Sequence, residues 1–187
     1  MYFVTYYHGG YIVELLEVLD FDGNPTGQVL DKKQIHELGL YHKEVAIILI
    51  NNKKEILLQK RASTKEIQSN KWAWHGGHVS VSEDTIDAII RETNEELGVK
   101  LNRNDINFLI KLRRDKMPNR QFTFAYYAFC NYPIEKFNIQ KEELSDIKWF
   151  NFDQFKEMIF SSHPDMMFKN NQNTKEIINV IEKIINN

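Results

Sequence analysis

The sequence predicts a mixed β-sheet between helical layers, in the α/β (α+β) class, and three observations predict it. β-rich runs come first, an amphipathic helix interrupts them, more β-rich runs follow, and helices close the chain. The run Glu44 to Ile50, EVAIILI, is continuously apolar after its first residue, as in a strand covered on both faces. With 187 residues, 42% apolar and 12% aromatic, the chain is sized for one domain with a substantial core. Within it we expect an N-terminal strand and extension over 1–40, a core over 41–160 and a C-terminal helix over 161–187.

Val13 to Leu19 reads as a strand, ended by turn chemistry at Asp22-Gly23-Asn24-Pro25. Asp31 to Leu38 is a short helical or irregular piece. Glu44 to Ile50 and Glu55 to Lys60 flank the polar Asn51-Asn52-Lys53-Lys54 and read as a hairpin. Ala62 to Asn70 is a polar loop, and Trp72 to Val79 is a strand running into a glycine turn. Trp72 and Trp74 share a strand face, where core packing is the expected use and stacking on a nucleobase the alternative. After the acidic helix, Ile106 to Leu112 and Gln121 to Phe129 form a second hairpin around the basic RRDKMPNR. Asp146 to Phe150 is a strand, Asp153 to Phe160 a helix, and Thr174 to Ile185 an amphipathic helix carrying Ile177, Ile178, Ile181 and Ile185. Tyr2, Phe3, Tyr6 and Tyr7 either form an aromatic patch or homodimer contact or fold onto the sheet.

A net charge of −2 leaves no basic footprint, so no nucleic-acid polymer is expected as partner. Cys130 is the only cysteine, which excludes an intrachain disulfide and a multi-cysteine zinc site and suits a cytoplasmic protein. No stretch approaches the roughly 20 apolar residues of a membrane span, and the N-terminus lacks a basic start followed by a continuous apolar segment. Neither export nor membrane insertion is expected.

The chemistry concentrates in Gly77 to Val99, GHVSVSEDTIDAIIRETNEELGV. At 3.6 residues per turn, Ile86, Ile90, Thr93 and Leu97 make one stripe for burial. Glu92, Glu95 and Glu96 stand in the i, i+3, i+4 relation, so their carboxylates converge on one face beside or opposite that stripe. Ser82 is the expected N-cap, with Glu83 and Asp84 in the first turn and Gly98 at the C-terminal stop. Neighbouring like charges repel, so either solvent screens them on a solvated helix or a cation gathers them. Hard carboxylate oxygens favour Mg²⁺ or Mn²⁺, ions that keep waters and bridge to substrate phosphates.

The whole segment runs glycine, five residues, Glu83, seven residues, Arg91-Glu92, two residues, Glu95-Glu96, one residue, Gly98 and Val99. At every charged and glycine position it resembles the signature of the Nudix hydrolases. Only Thr93 departs, where that family favours an aliphatic residue, and threonine keeps the β-branched shape. The resemblance implies the Nudix fold, an α/β/α sandwich, and hydrolysis of a small-molecule diphosphate with Mg²⁺ or Mn²⁺. By position it implies Glu95 and Glu96 as metal ligands and Glu92 as a further ligand or the water-activating group. The Gly76 carbonyl is implied as another ligand, and Glu83 and Arg91 as an ion pair orienting loop and helix. Members often use one more glutamate, a few residues ahead of a late tryptophan; Glu143, six before Trp149, is the first choice and Glu142 the second. Arg61 stands where members hold substrate phosphate, with an exposed strand-end charge as the alternative, and Gly77 and His78 fall on the same implied substrate-binding edge.

From Glu14 through Val99, the runs LDFDGNPTG, IHELGLYHKEVAIILI, ILLQKRASTKE and GGHVSVSED are similar to the branch that includes isopentenyl-diphosphate isomerases and their hydrolase relatives. Those isomerases use a cysteine just before the Gly-His of the box and a glutamate pair on a later strand. Here the positions hold Gly76 and the acid-free Asn119-Arg120-Gln121, so the proton relay lacks carriers. His36 and His42, spaced one residue shorter than in the isomerases, and His78 form either a vestigial or second ion site or surface or hydrogen-bonded structural histidines. His75 is assigned no role. The expected function is metal-dependent hydrolysis of a nucleoside diphosphate linked to another moiety, or of a similar organic diphosphate. An isopentenyl-diphosphate isomerase and a non-catalytic nucleotide-binding module are the alternatives.

Overall fold

Apolar residues on both faces of one strand decide the architecture. Val45 to Ile50 are each at most 3% exposed. They divide by parity: Val45, Ile47 and Leu49 enter one core, while Ile48 and Ile50 enter another on the opposite face. The computed structural model describes residues 6–8 and 11–186. It orders the elements as β1 (Tyr6–His8), β2 (Tyr11–Val13), β3 (Leu15–Leu19), β4 (Pro25–Asp31), α1 (Lys32–Leu38), β5 (His42–Ile50), β6 (Glu55–Arg61), β7 (Trp72–Ala73) and β8 (His75–His78). There follow α2 (Thr85–Leu97), β9 (Asn107–Arg114), β10 (Gln121–Phe129), β11 (Leu144–Asn151), α3 (Phe152–Phe160) and α4 (Gln172–Asn186).

The main sheet runs β11-β6-β5-β10-β9, with β7 paired to β6 and β8 paired to β5. β10 lies parallel to β5, Gln121 opposite His42 through Phe129 opposite Ile50, whereas β9 and β11 pair antiparallel, so the sheet is mixed as expected. Helix α2 packs its apolar residues on the face of Val45, Ile47 and Leu49. Helices α3 and α4 cover the face of Ile48 and Ile50 through Phe155, Ile159, Ile177, Ile178 and Ile181. The result is the α/β/α sandwich.

Most expected elements recur with ends moved by a residue or two. Two differences bear on function. The segment after the Asp22–Pro25 turn continues as β4, antiparallel to β3; it is exposed along most of its length, so no apolar alternation marks it. The expected β5–β6 hairpin pairs only at Ile50 and Ile56. Beyond that point the two strands splay, and β8 fills the gap along β5 while β7 fills it along β6. The splay carries the glycine turn between the two half-sheets. Trp72 and Trp74 pack against the second core, Trp74 stacked on Phe168 with ring centroids 3.5 Å apart. Tyr2 and Phe3, and the side chains of Tyr6 and Tyr7, lie outside the described residues. Among the described residues, no helix is long and apolar enough to cross a membrane.

Candidate active site

Helix α2 begins later than Ser82. Asp84 is the N-cap, its carboxylate accepting from the Ile86 amide at 2.9 Å, while Ser82 takes a left-handed φ of 64°. The late start frees Glu83 from the helix, and its carboxylate turns to Arg91. Gly98 ends the helix as expected, at φ 68° with its amide on the Asn94 and Thr93 carbonyls. The buried face is wider than the expected stripe. Ala88, Ile89 and Glu92 are buried along with Thr93 and Leu97, and Ile86 and Ile90 sit at the margin.

One guanidinium organises the acidic side of the helix. Arg91 donates through Nε to Glu83 Oε1 at 2.9 Å and through Nη2 to Glu83 Oε2 at 3.0 Å, a bidentate pair. Its Nη1 reaches both Glu92 Oε1 at 2.8 Å and Glu95 Oε2 at 3.1 Å, and Nη2 also reaches the His78 carbonyl at 3.1 Å. Burial works against the Arg91 charge, but the Glu83 and Glu92 carboxylates outweigh it and hold its pKa above the ordinary value. The Ser80 amide donates to Glu83 as well, which ties the loop to the helix. Glu92 is held directly under the glycine turn: a Cβ on Gly77 would lie 2.3 Å from its Cδ, so a side chain there would push the Glu92 carboxylate out of this position.

Glu96 points to the other side. Its Oε2 lies 3.6 Å from Nδ1 of the buried His75, whose ring pairs with Gln59 Oε1 at 2.6 Å. Glu143 pairs with Lys65, its backbone carbonyl accepts from the Ala62 amide, and its charge acts on Glu96. The loop before it is pinned to the helix where the Gln140 amide donates to the Glu96 carbonyl at 2.9 Å. Glu142 is exposed on the outside of that loop. Arg61 is half-buried rather than a free strand-end charge, donating to the Ile67 carbonyl at 3.3 Å, and its charge also acts on Glu96. The structure thus gathers Glu83, Arg91, Glu92 and Glu95 in one hydrogen-bonded network, and sets Glu96 beside His75 and Gln59, where the charges of Glu143, Lys65 and Arg61 act on it. His75, Gln59 and Lys65 are members that sequence reasoning missed. A histidine between Trp74 and a double glycine was the visible signal for His75, whereas nothing in the pattern marks Lys65.

Burial raises the Glu92 carboxyl to about 7, with Arg91 pulling back. Burial also raises Glu96, to about 8, aided by the Glu92 and Glu143 charges. Two carboxyls raised this way, against a half-exposed Glu95, form a hard-oxygen set that a divalent ion would neutralise, so the residues fit Mg²⁺ or Mn²⁺. The sign of the pH effect follows. In the folded chain these groups, and Glu44 at about 7, bind protons that the unfolded chain has already lost. The associated stability is complete below the unfolded carboxylate range and is lost as pH rises through about 7 and 8. The depressed histidines act in the opposite sense, but only below their unfolded pKa of about 6.5. Between about pH 7 and pH 9 we expect the metal-free melting temperature to fall by about 5 °C, the size of a loss of roughly 2 kcal/mol in a chain this long. Saturating Mg²⁺ should remove the part due to Glu92 and Glu96, which calorimetry across that window checks.

A second cluster stands across β8. His36, His42 and His78 place one ligand atom each within 4.8 Å of one another, the one such three-residue group among the described residues. Burial lowers all three pKa values, His42 to about 4, so each ring is neutral near pH 7. His42 uses Nδ1 on the Leu40 carbonyl at 3.3 Å, and the buried Nε2 atoms of His36 and His42 have no partner among the described residues. Three neutral imidazole nitrogens this close together suit an imidazole-bound divalent ion.

The family model for the NUDIX domain matches residues 40–169. Nudix hydrolase 3 of Arabidopsis thaliana is 28% identical over 161 residues, 81% of this chain but 21% of that protein, so the chain spans about a fifth of its length. Isopentenyl-diphosphate Delta-isomerase 2 of Photorhabdus laumondii is 30% identical over 155 residues, 82% of this chain and 85% of that one. Among solved structures, DR0079 of Deinococcus radiodurans superposes with a TM-score of 0.70 at 18% identity, covering 89% of this chain and 98% of that one, a likeness of fold. The domain match over most of the chain, on a fold that presents every charged residue of the box, places this chain in the Nudix hydrolase family, among relatives that include isopentenyl-diphosphate isomerase-like members.

Proposed function

We propose that this chain is a divalent-metal-dependent diphosphatase, acting on a nucleoside diphosphate linked to a further group or on a similar organic diphosphate, in the cytoplasm. The observation that carries the reading is the acidic set: Glu92, Glu95 and Glu96 beside a fully paired Glu83–Arg91. Glu95, Glu96 and the Gly76 carbonyl would hold the ion, with Glu143 on the neighbouring loop and Glu92 as a further ligand. When bound, Mg²⁺ or Mn²⁺ neutralises charge on the phosphate oxygens and polarises the phosphorus under attack. Where Glu92 does not itself ligate the ion, its carboxylate beneath Gly77 would accept a proton from the attacking water. Arg61 would bind and orient a phosphate, with Lys65 on the loop that follows it paired to Glu143.

The test is purified protein with Mg²⁺ or Mn²⁺ on a panel of nucleotide sugars, dinucleotides, triphosphates and prenyl diphosphates. Release of a phosphate product from at least one class is expected, and none from any class would favour a binding module. One observation supports a second reading: the histidine cluster, in a chain 30% identical to an isomerase. Against it, Gly76 offers no thiol and Gln121 no carboxylate, so formation of dimethylallyl from isopentenyl diphosphate is not expected.

A further inference from the structure

His75 and Gln59 are polar side chains buried in a largely apolar core, outside the set that would hold the ion. They are 3% and 5% exposed. His75 stands opposite Ile47 on β5 and Gln59 opposite Ile147 on β11, so both lie on the sheet face that α2 covers. His75 Nδ1 pairs with Gln59 Oε1 at 2.6 Å. An amide oxygen only accepts, so that bond places the ring proton on Nδ1. The same nitrogen lies 3.6 Å from Glu96 Oε2, and the ring rests beside the backbone of Glu92, one helical turn earlier. His75 Nε2 is buried with no hydrogen-bond partner among the described residues.

Stability alone does not account for this pair. Two apolar side chains of similar volume would fill the space without stranding a ring nitrogen away from water. What the pair faces does account for it. Among the described residues, His75 is the one basic side chain within ion-pair distance of the Glu96 carboxylate. Lys65 and Arg61 bring charge to Glu96, but Lys65 is paired with Glu143 and Arg61 donates to the Ile67 carbonyl. An ion on one oxygen of Glu96 leaves the other in need of a donor, since carboxylates that ligate metals are themselves hydrogen-bonded. A closure of about 0.5 Å brings His75 Nδ1 within that reach, while the bond to Gln59 keeps the ring from turning. We propose that His75 is a positioning residue for Glu96: its Nδ1–H, shared with Gln59, fixes the outer oxygen of Glu96 and so the direction in which that carboxylate meets the ion, an inference that rests on the diphosphatase function above.

The test reads ion binding directly: Mn²⁺ is titrated into the full chain without substrate and the free ion is followed by electron paramagnetic resonance. His75→Leu keeps a similar volume and removes the donor. It should weaken Mn²⁺ binding about 30-fold, the size of a lost partner behind a metal ligand, while the metal-free melting temperature stays at or above that of the wild type. His75→Asn places an amide N–H close to where Nδ1 stands, and should bind Mn²⁺ within about threefold of the wild type. Turnover of the diphosphate panel should follow the same order at limiting Mn²⁺ and converge as Mn²⁺ saturates, because the residue acts through the ion. Gln59→Leu should weaken Mn²⁺ binding about fivefold, which keeps the test decisive if His75→Leu folds poorly. Wild-type affinity in either leucine variant, or equal losses in His75→Leu and His75→Asn, overturns the role of His75 while the diphosphatase stands. A wild-type protein that binds no Mn²⁺ overturns both.

Discussion

Glu96→Gln should lower kcat roughly a thousandfold, beyond the 10–100-fold expected for a residue that only supports a ligand from outside. At the same time it should raise the melting temperature of the metal-free protein. The opposite signs come from one cause. Burial and the Glu92 and Glu143 charges make an ionised Glu96 costly in the folded chain. An amide of the same volume removes that cost along with the ligand charge. The backbone role survives, because it is the Glu96 carbonyl that holds the Gln140 amide. Steady-state kinetics and melting curves with and without Mg²⁺ check both halves. The variant should also lose most of the Mg²⁺-induced stabilisation seen in the wild type. Unchanged turnover would remove Glu96 from the metal site.

The legible parts of this fold are those where a periodicity has a single physical cause. Val45 to Ile50 is apolar because both faces of β5 are covered, and the isoleucines of α4 repeat because one face of that helix is covered. β4 escaped notice because an exposed edge strand needs no apolar alternation. The start of α2 was misplaced because Ser82, Glu83 and Asp84 can all serve a helix N-terminus, and the choice falls to tertiary contact: Arg91 takes Glu83, which leaves the cap to Asp84. The spacing of the glutamates put them on one helix surface, but not in one environment. Glu92 is buried beneath Gly77, Glu95 is half-exposed, and Glu96 turns to His75. Lys65 opposite Glu143, and Thr123 beside Glu44, come from segments 78 and 79 residues away in the chain, and no local pattern reports such pairs.

Arg91→Ala should be the most destabilising single change in the site. The side chain is 15% exposed and satisfies both oxygens of Glu83, one of Glu92, one of Glu95 and the His78 carbonyl. Removing it leaves two largely buried carboxylates and a part-buried carbonyl without this donor, and breaking a buried ion pair on one side costs about 3–5 kcal/mol. In a chain of this length that is a fall of roughly 10 °C in melting temperature. Arg91→Lys should recover little of it. An ammonium is a point charge and cannot hold Glu83 at two oxygens while also reaching Glu92, Glu95 and the turn before α2. Mg²⁺ should restore part of the loss in Arg91→Ala, through Glu92 and Glu95, but not the part due to Glu83, which faces the loop. Thermal melts of both variants with and without Mg²⁺ separate these shares. If Arg91→Lys matched the wild type in stability and turnover, charge alone would suffice at this position and the bidentate geometry would carry no weight.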